Sequence, residues 1–293
     1  MLAGASYARR EKPPVMSAEN MRHIAFIGFG EVGQTFAKGL LAQEDVRVSG
    51  YDILVGREGG AGIEARASEL GVALRDSAGA AAQSAQIVIS AVTASQAEAV
   101  AEAARAFLSP GQIFFDVNSA APSTKRRAAA YVESVGAHYV EGAVMAPVLK
   151  PGLKVPILAG GPRAGETSTL LNALGMNLTP VATEHGVASA MKLCRSIIIK
   201  GLEALMVDCA AASEKWGVSD AVYHSLDETF PSIDWRALAE NMRERVAVHG
   251  VRRSAEMREA GEMLDALGMS PALANAVADA QLRGARPLAA HSR

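Results

Sequence analysis

The chain has 293 residues, enough for one large domain or two ordinary ones, and its 49% apolar and 20% charged content suits a globular protein with a proper core. A formal net charge of -2, without a Lys/Arg run interleaved with aromatics, argues against nucleic acid as a partner and for a small molecule. No apolar run approaches the ~20 residues that span a bilayer, and the N-terminus lacks the apolar centre of a secretory signal, so a cytoplasmic location without membrane attachment is expected.

Residues 1–20, with Pro13 and Pro14, read as a disordered leader, and Met16 or Met21 is an alternative start. The first strand is expected at 23–28. There Ile24-Ala25-Phe26-Ile27 runs into Gly28-Phe29-Gly30-Glu31-Val32-Gly33 and then a helical stretch from Gln34 to Ala42. Strand, glycine turn and helix in that order can seat a dinucleotide. The first glycine permits the turn, the second lets a pyrophosphate approach bare backbone, and the third lets helix and strand pack closely. The next strand, 46–51, ends in Asp52, nineteen residues after Gly33, where an acid can accept hydrogen bonds from the ribose hydroxyls. Asp52 favours NAD by repelling the extra phosphate of NADP, and nearby Arg57 softens that preference. An ordinary glycine-rich turn is the alternative.

Short β-branched runs then alternate with Ala-rich helical stretches, with strands expected at 71–74, 87–92, 112–116, 138–143, 154–159 and 177–181. Strands stop near Gly186. Helices follow at 187–216, 219–228, 234–248 and 251–267. The expectation is an α/β Rossmann domain, a doubly wound, mostly parallel sheet over 21–184, followed by an all-α C-terminal domain over 185–293. If Cys194 and Cys209 share the long helix, ~1.5 Å of rise per residue puts them about 22 Å apart, too far for a disulfide, which suits a reducing compartment.

Asn118 and Ser119 follow an apolar strand at the edge where doubly wound sheets bind ligands, and they can hydrogen-bond a substrate carboxylate or hydroxyl. Capping of the next helix is the competing reading. Lys192 lies near the start of the long helix, and Arg195 and Ser196 share its face. His249, Arg252, Arg253 and Glu256 are spaced three and four apart. They read as a solvated face laced with ion pairs or as an anion-binding patch completing the site, and Trp235 and His224 are weaker candidates. No His/Cys/Asp cluster has metal-ligand spacing, and no catalytic metal is expected.

GFGEVG at 28–33, DVNSAAPSTKR at 116–126, KVPILAGG at 154–161 and GVASAMK at 186–192 fall in the order and spacing of the β-hydroxyacid dehydrogenases, the relatives of 6-phosphogluconate dehydrogenase. The chain resembles that superfamily from about residue 23 onward. KLCRSIIIKGLEAL at 192–205, TFPSIDW at 229–235 and RVAVHGVRRSAEMREA at 245–260 resemble a bacterial branch described as NAD-binding, phosphogluconate-dehydrogenase-like oxidoreductases.

The resemblance implies that Lys192 acts as general base on a substrate hydroxyl while hydride leaves the adjacent carbon for the nicotinamide. A free lysine has a pKa of about 10.4, so its surroundings would have to lower it by ~2 to 3 pH units, about 3 to 4 kcal/mol. It also implies that Asn118 and Ser119 orient the substrate, that Val92 and Thr93 touch the cofactor, and that Glu256 is the acidic position near the cofactor. Ser196 stands where many relatives carry a catalytic asparagine. Met145 and Ala146 belong to the pocket, where Ala146, Pro147 and Val148 replace the Ser-Gly-Gly of many relatives. Arg195, His249 or Arg253 would help hold the substrate anion, and the helical domain would interlock in a homodimer. The expected activity is NAD-dependent oxidation of a small anionic hydroxy acid, of β-hydroxy or sugar-acid type, or the reverse reduction. Imine reduction on the same fold and a non-catalytic, redox-sensing NAD-binding protein are the alternatives.

Overall fold

The computed structural model describes residues 22–285, so the leader expected at 1–20 lies outside the described residues. His23 to Ile27 are all buried, which makes β1 (Arg22–Ile27) a strand covered on both faces, as parallel sheets require. It is followed by α1 (Glu31–Leu40), β2 (Val46–Tyr51), α2 (Ala61–Leu70), β3 (Ala73–Leu74), α3 (Ala78–Ala82), β4 (Ile87–Ser90), α4 (Ala97–Ala104), β5 (Ile113–Asp116), α5 (Pro122–Glu133), β6 (His138–Val144), β7 (Pro156–Gly160), α6 (Ala164–Ala173) and β8 (Asn177–Ala182).

The strands form one sheet in the order β3-β2-β1-β4-β5-β6-β7-β8. The order reverses beside β1, where a doubly wound sheet opens its ligand crevice. All neighbours are parallel except β6 and β7. Residues 145–155 contain no helix long enough for a crossover, so the chain turns back on itself and β7 runs the other way. Phe26, Phe36, Phe115 and Ile157 lead the core on one face of the sheet, and Val88, Phe114, Val132 and Tyr139 lead it on the other.

Beyond β8 the chain is helical: α7 (Val187–Trp216), α8 (Ser219–Thr229), α9 (Trp235–Ala266) and α10 (Ala272–Gly284). The helix break expected at Gly250 is corrected, because α9 runs unbroken through it. A Cβ at Gly250 would lie 2.3 Å from the Gln281 carbonyl oxygen, and one at Gly284 would lie 2.5 Å from Val246 Cγ1. Gly250 thus lets α9 approach the α10 backbone and Gly284 makes room for the Val246 side chain, close contacts that offset glycine's cost of roughly 1 kcal/mol inside a helix. Leu193, Met257, Met263, Ala274 and Ala278 fill the contact between α7, α9 and α10. Cys194 and Cys209 both lie on α7 as free thiols. Among the described residues no helix is long and apolar enough to cross a membrane.

Candidate active site

Gly28 takes φ +86°, and a Cβ there would lie 2.4 Å from the Ala91 carbonyl oxygen and 2.8 Å from Val92 Cγ1. The turn therefore accepts only glycine, and it seats the glycine loop against the end of β4. A Cβ at Gly30 would meet no atom within 4 Å, so its front is open space. The first turn of α1 has no side-chain cap, which leaves its N–H groups for an anion. Asp52 closes the other side. Its Oδ2 accepts the Phe29 N–H at 2.8 Å and its Oδ1 the Leu54 N–H at 3.0 Å, and each oxygen keeps a lone pair for a ribose hydroxyl. Open backbone at Gly30 and an anchored acid at Asp52 fit a dinucleotide. Glu31 and Val32 open α1 beside it.

At the ends of β4 and β5 the expectation for Asn118 is corrected. Its Oδ1 accepts the Val92 N–H at 2.6 Å, and its Nδ2 donates to Ser90 Oγ at 2.9 Å and Asp116 Oδ1 at 2.7 Å. The amide is spent on the scaffold, so Asn118 sets Val92 in place. Asp116 is in turn held by Tyr139 Oη at 2.6 Å and Lys125 Nζ at 3.0 Å, all three fully buried or nearly so. Thr93 Oγ1 bonds Ser95 Oγ at 3.2 Å. Ser119 Oγ is buried without a partner among the described residues. An unmade bond of this kind costs roughly 1 to 3 kcal/mol, which rotation of the hydroxyl toward a ligand would relieve.

Glu141, fully buried on β6, fixes the start of α7. Its Oε1 accepts the N–H groups of Gly186 at 2.8 Å and Ala188 at 3.0 Å, and its Oε2 accepts Ser189 Oγ at 2.8 Å. Gly186 itself takes φ +94°, a conformation that a larger residue rarely adopts. Lys192 emerges just beyond this cap.

The Lys192 ammonium, its side chain 14% exposed, stands 3.8 Å from Glu256 Oε1 on α9. Burial pushes the lysine down to about 8, the Glu256 charge opposes this, and the charges of Lys200, Lys125 and Arg252 assist it. Burial acts to raise Glu256, but Lys192 and Lys200, with hydrogen bonds from Lys200 and Ser196, outweigh that and hold it at about 2.

Glu256, expected near the cofactor, faces Lys192. The expectation for Ser196 is corrected. Ser196, 1% exposed, donates to Glu256 Oε1 at 3.0 Å instead of reaching a substrate. Arg253 is corrected as well: it is buried and ion-paired with Glu203. Arg252, one residue earlier, is exposed and has no ion-pair partner among the described residues, with half-buried His249 beside it. The His249 imidazole is pushed down by burial and by Arg252 and Arg253. Arg195 is exposed on α7, while Met145 is half-buried and Ala146 exposed at the start of the 145–155 connection. The two lobes meet where Glu259 of α9 accepts the Ala121 N–H at 2.6 Å, two residues beyond Ser119.

Residues 23–120 match the family described as NADP oxidoreductase, coenzyme F420-dependent, and residues 213–283 match a domain of unknown function, DUF1932. A conserved hypothetical protein from Sinorhizobium meliloti is 38% identical with a TM-score of 0.78, over 93% of this chain and 91% of that one. A conserved protein of unknown function, whose structure is described as similar to 3-hydroxyacid dehydrogenases, is 32% identical with a TM-score of 0.70, over 89% and 99%. The chain belongs to the β-hydroxyacid dehydrogenase superfamily. A superfamily member from Mycobacterium tuberculosis, 3-hydroxyisobutyrate dehydrogenase solved with L-serine, shares the fold at 19% identity, TM-score 0.72, over 90% and 93%.

Within this superfamily frame, sequence reading had no signal for Lys200, for the Glu141 cap or for Glu259. Each acts through a partner 45 or more residues away in sequence, although Lys200 and Glu259 both sit on helices already singled out.

Proposed function

We propose that the protein transfers hydride between a nicotinamide dinucleotide and a small anionic hydroxy acid, with Lys192 as the acid–base group. The observation that carries this reading is a lysine largely removed from water, poised near pH 8, where α7 and α9 meet the sheet domain through Lys125 of α5. In oxidation, neutral Lys192 Nζ takes the proton of the substrate hydroxyl while hydride leaves the carbon bearing it. The bound nicotinamide supplies the hydride acceptor. Arg252, His249 and Arg195 offer positive or hydrogen-bonding groups for the substrate carboxylate, and Ser119 a hydroxyl.

A base with a pKa near the working pH combines adequate proton affinity with a usable neutral fraction. Its neutral form can take a hydroxyl proton, and its ammonium form can return one in the reverse reduction. Asp52 supports NAD, and Arg57 in the following loop leaves NADP open. Residues 21–184 would form the cofactor domain and 185–293 the substrate and dimerisation domain. Met191, Ile198 and Leu205, seven residues apart on α7, are 46%, 63% and 68% exposed, which supports α7 as the homodimer seam. Two free thiols suit a cytoplasmic location.

The test is a panel of hydroxy acids, sugar acids and phosphorylated analogues assayed by absorbance for NAD and NADP reduction, with Lys192→Ala as control. Turnover of one class, lost by at least a hundredfold in Lys192→Ala, is expected. Near-normal turnover in that variant would remove the lysine mechanism.

A further inference from the structure

The acid–base reading leaves a second buried lysine on α7 without a task. Lys200 lies two turns beyond Lys192, ~12 Å along the helix, and is 8% exposed. Its Nζ stands 3.2 Å from Glu256 Oε2 and donates to Ser196 Oγ at 3.0 Å. Lys192 reaches the same carboxylate only at 3.8 Å. One carboxylate thus serves two ammonium groups, and the closer, better bonded of the two is not the one beside the seam.

We propose that Lys200 is a positioning residue for the reaction: together with Ser196 it holds and neutralises Glu256, so that Lys192 faces a carboxylate already paired and is free to release its proton. The proposal rests on the acid–base role given to Lys192 above.

The charges around Lys192 support this division. Glu256 and Arg252 face it from α9, Lys200 from its own helix and Lys125 from α5. Lys125 is spent on Asp116 at 3.0 Å. Glu203, the next acid along α7, is spent on Arg253 and on Arg245 Nη2 at 3.1 Å. Glu256 is therefore the carboxylate that decides how tightly Lys192 holds its proton. Inside a protein an ion pair weakens with distance and with sharing. If Lys200 loses its charge, Lys192 loses a like-charged neighbour and gains the undivided carboxylate. Both changes favour its ammonium form.

The test is a titration of individual lysine side chains by NMR in protein carrying 13C-labelled lysine, with Lys192→Arg and Lys200→Arg used for assignment. It needs no substrate. In the wild type Lys192 is expected to titrate near 8; burial lowers Lys200 as well, but its closer bonds to Glu256 and Ser196 should make it the later of the two to lose its proton. In Lys200→Gln the Lys192 midpoint should rise by about one pH unit, whereas Lys200→Arg, which keeps the charge, should leave it in place. With a substrate in hand, the acidic limb of kcat/KM for oxidation should move upward in Lys200→Gln by the same amount.

Two results overturn the proposal: a Lys200 that loses its proton before Lys192 in the wild type, or a Lys192 midpoint unmoved in Lys200→Gln. The first is read on unaltered protein and decides the matter even if Lys200→Gln does not fold. Should the midpoints behave as expected while no hydroxy acid is turned over, the substrate reading fails and the coupling stands.

Discussion

Glu259 on α9 accepts the Ala121 N–H at 2.6 Å, which ties the long C-terminal helix to the turn carrying Ser119. Burial raises the Glu259 carboxyl above its usual range despite this bond. The folded state therefore holds that proton more tightly than the unfolded chain, and this group's contribution to stability increases as pH falls from neutral through its raised pKa. Glu259→Gln keeps an acceptor and drops the buried charge. It should be neutral or slightly stabilising at pH 7 and should lose the gain on acidification. Glu259→Leu leaves the Ala121 N–H unpaired and should cost about 1 to 3 kcal/mol in urea denaturation.

The Glu141 cap should be the most sensitive joint of the fold. Glu141→Ala orphans two buried N–H groups and the Ser189 hydroxyl, and each unsatisfied buried donor costs roughly 1 to 3 kcal/mol. A loss of ~3 kcal/mol or more in urea denaturation is expected, together with a fall in kcat/KM, because the start of the helix bearing Lys192 is no longer fixed.

Two glycines of the same turn, Gly28 and Gly30, should behave oppositely. Gly28→Ala meets the Ala91 carbonyl and a positive φ, and should lower the melting temperature even without cofactor. Gly30→Ala meets nothing in the protein and should leave the apo melting temperature within a degree or two, while NAD(P)H binding, followed by fluorescence, weakens at least tenfold. Unchanged dinucleotide affinity in Gly30→Ala would place the cofactor elsewhere.

Lys192 should carry its role at the expense of stability. Its folded pKa, about 8, lies below the unfolded value of 10.5, so the unfolded chain binds more protons between the two. The cost of keeping the buried ammonium is full below pH 8 and disappears as pH rises through that window. Lys192→Met should therefore be inactive yet more stable than the wild type at pH 7, by about 1 to 3 kcal/mol, with the difference vanishing toward pH 10.5. Calorimetry across pH 6–10 checks both halves.

The sheet and the glycine turn were legible because they depend on local pattern: a buried apolar run, a turn that admits only glycine, and a helix start. The site was legible in position but less so in contacts. Asn118 reads as a ligand group because its type and place suit one, yet Ser90, brought beside it by the sheet, and Asp116, two residues back, take its amide. Arg252 and Arg253 are adjacent in sequence, and a turn of ~100° per residue sends one to solvent and the other to Glu203, fifty residues back. Gly250 looks like a stop signal until α10 is laid against it. Helix α10 itself went unread behind Pro271, although Ala274, Val277 and Ala278 give it an apolar face.

The reversal of β7 has one more effect. On the β1 side of the sheet edge a strand runs into a helix start, and peptide N–H groups there can receive a phosphate without any charged side chain. On the β6 side the strand doubles back, and the connection to β7 holds one short 3-10 turn, Gly152–Lys154, in place of an α-helix. Under the proposed function, anion recognition would thereby be divided, with main-chain dipoles for the cofactor and side-chain cations on α7 and α9 for the acid. Substitutions on those two helices could alter which acid is accepted while the dinucleotide cradle stays as it is.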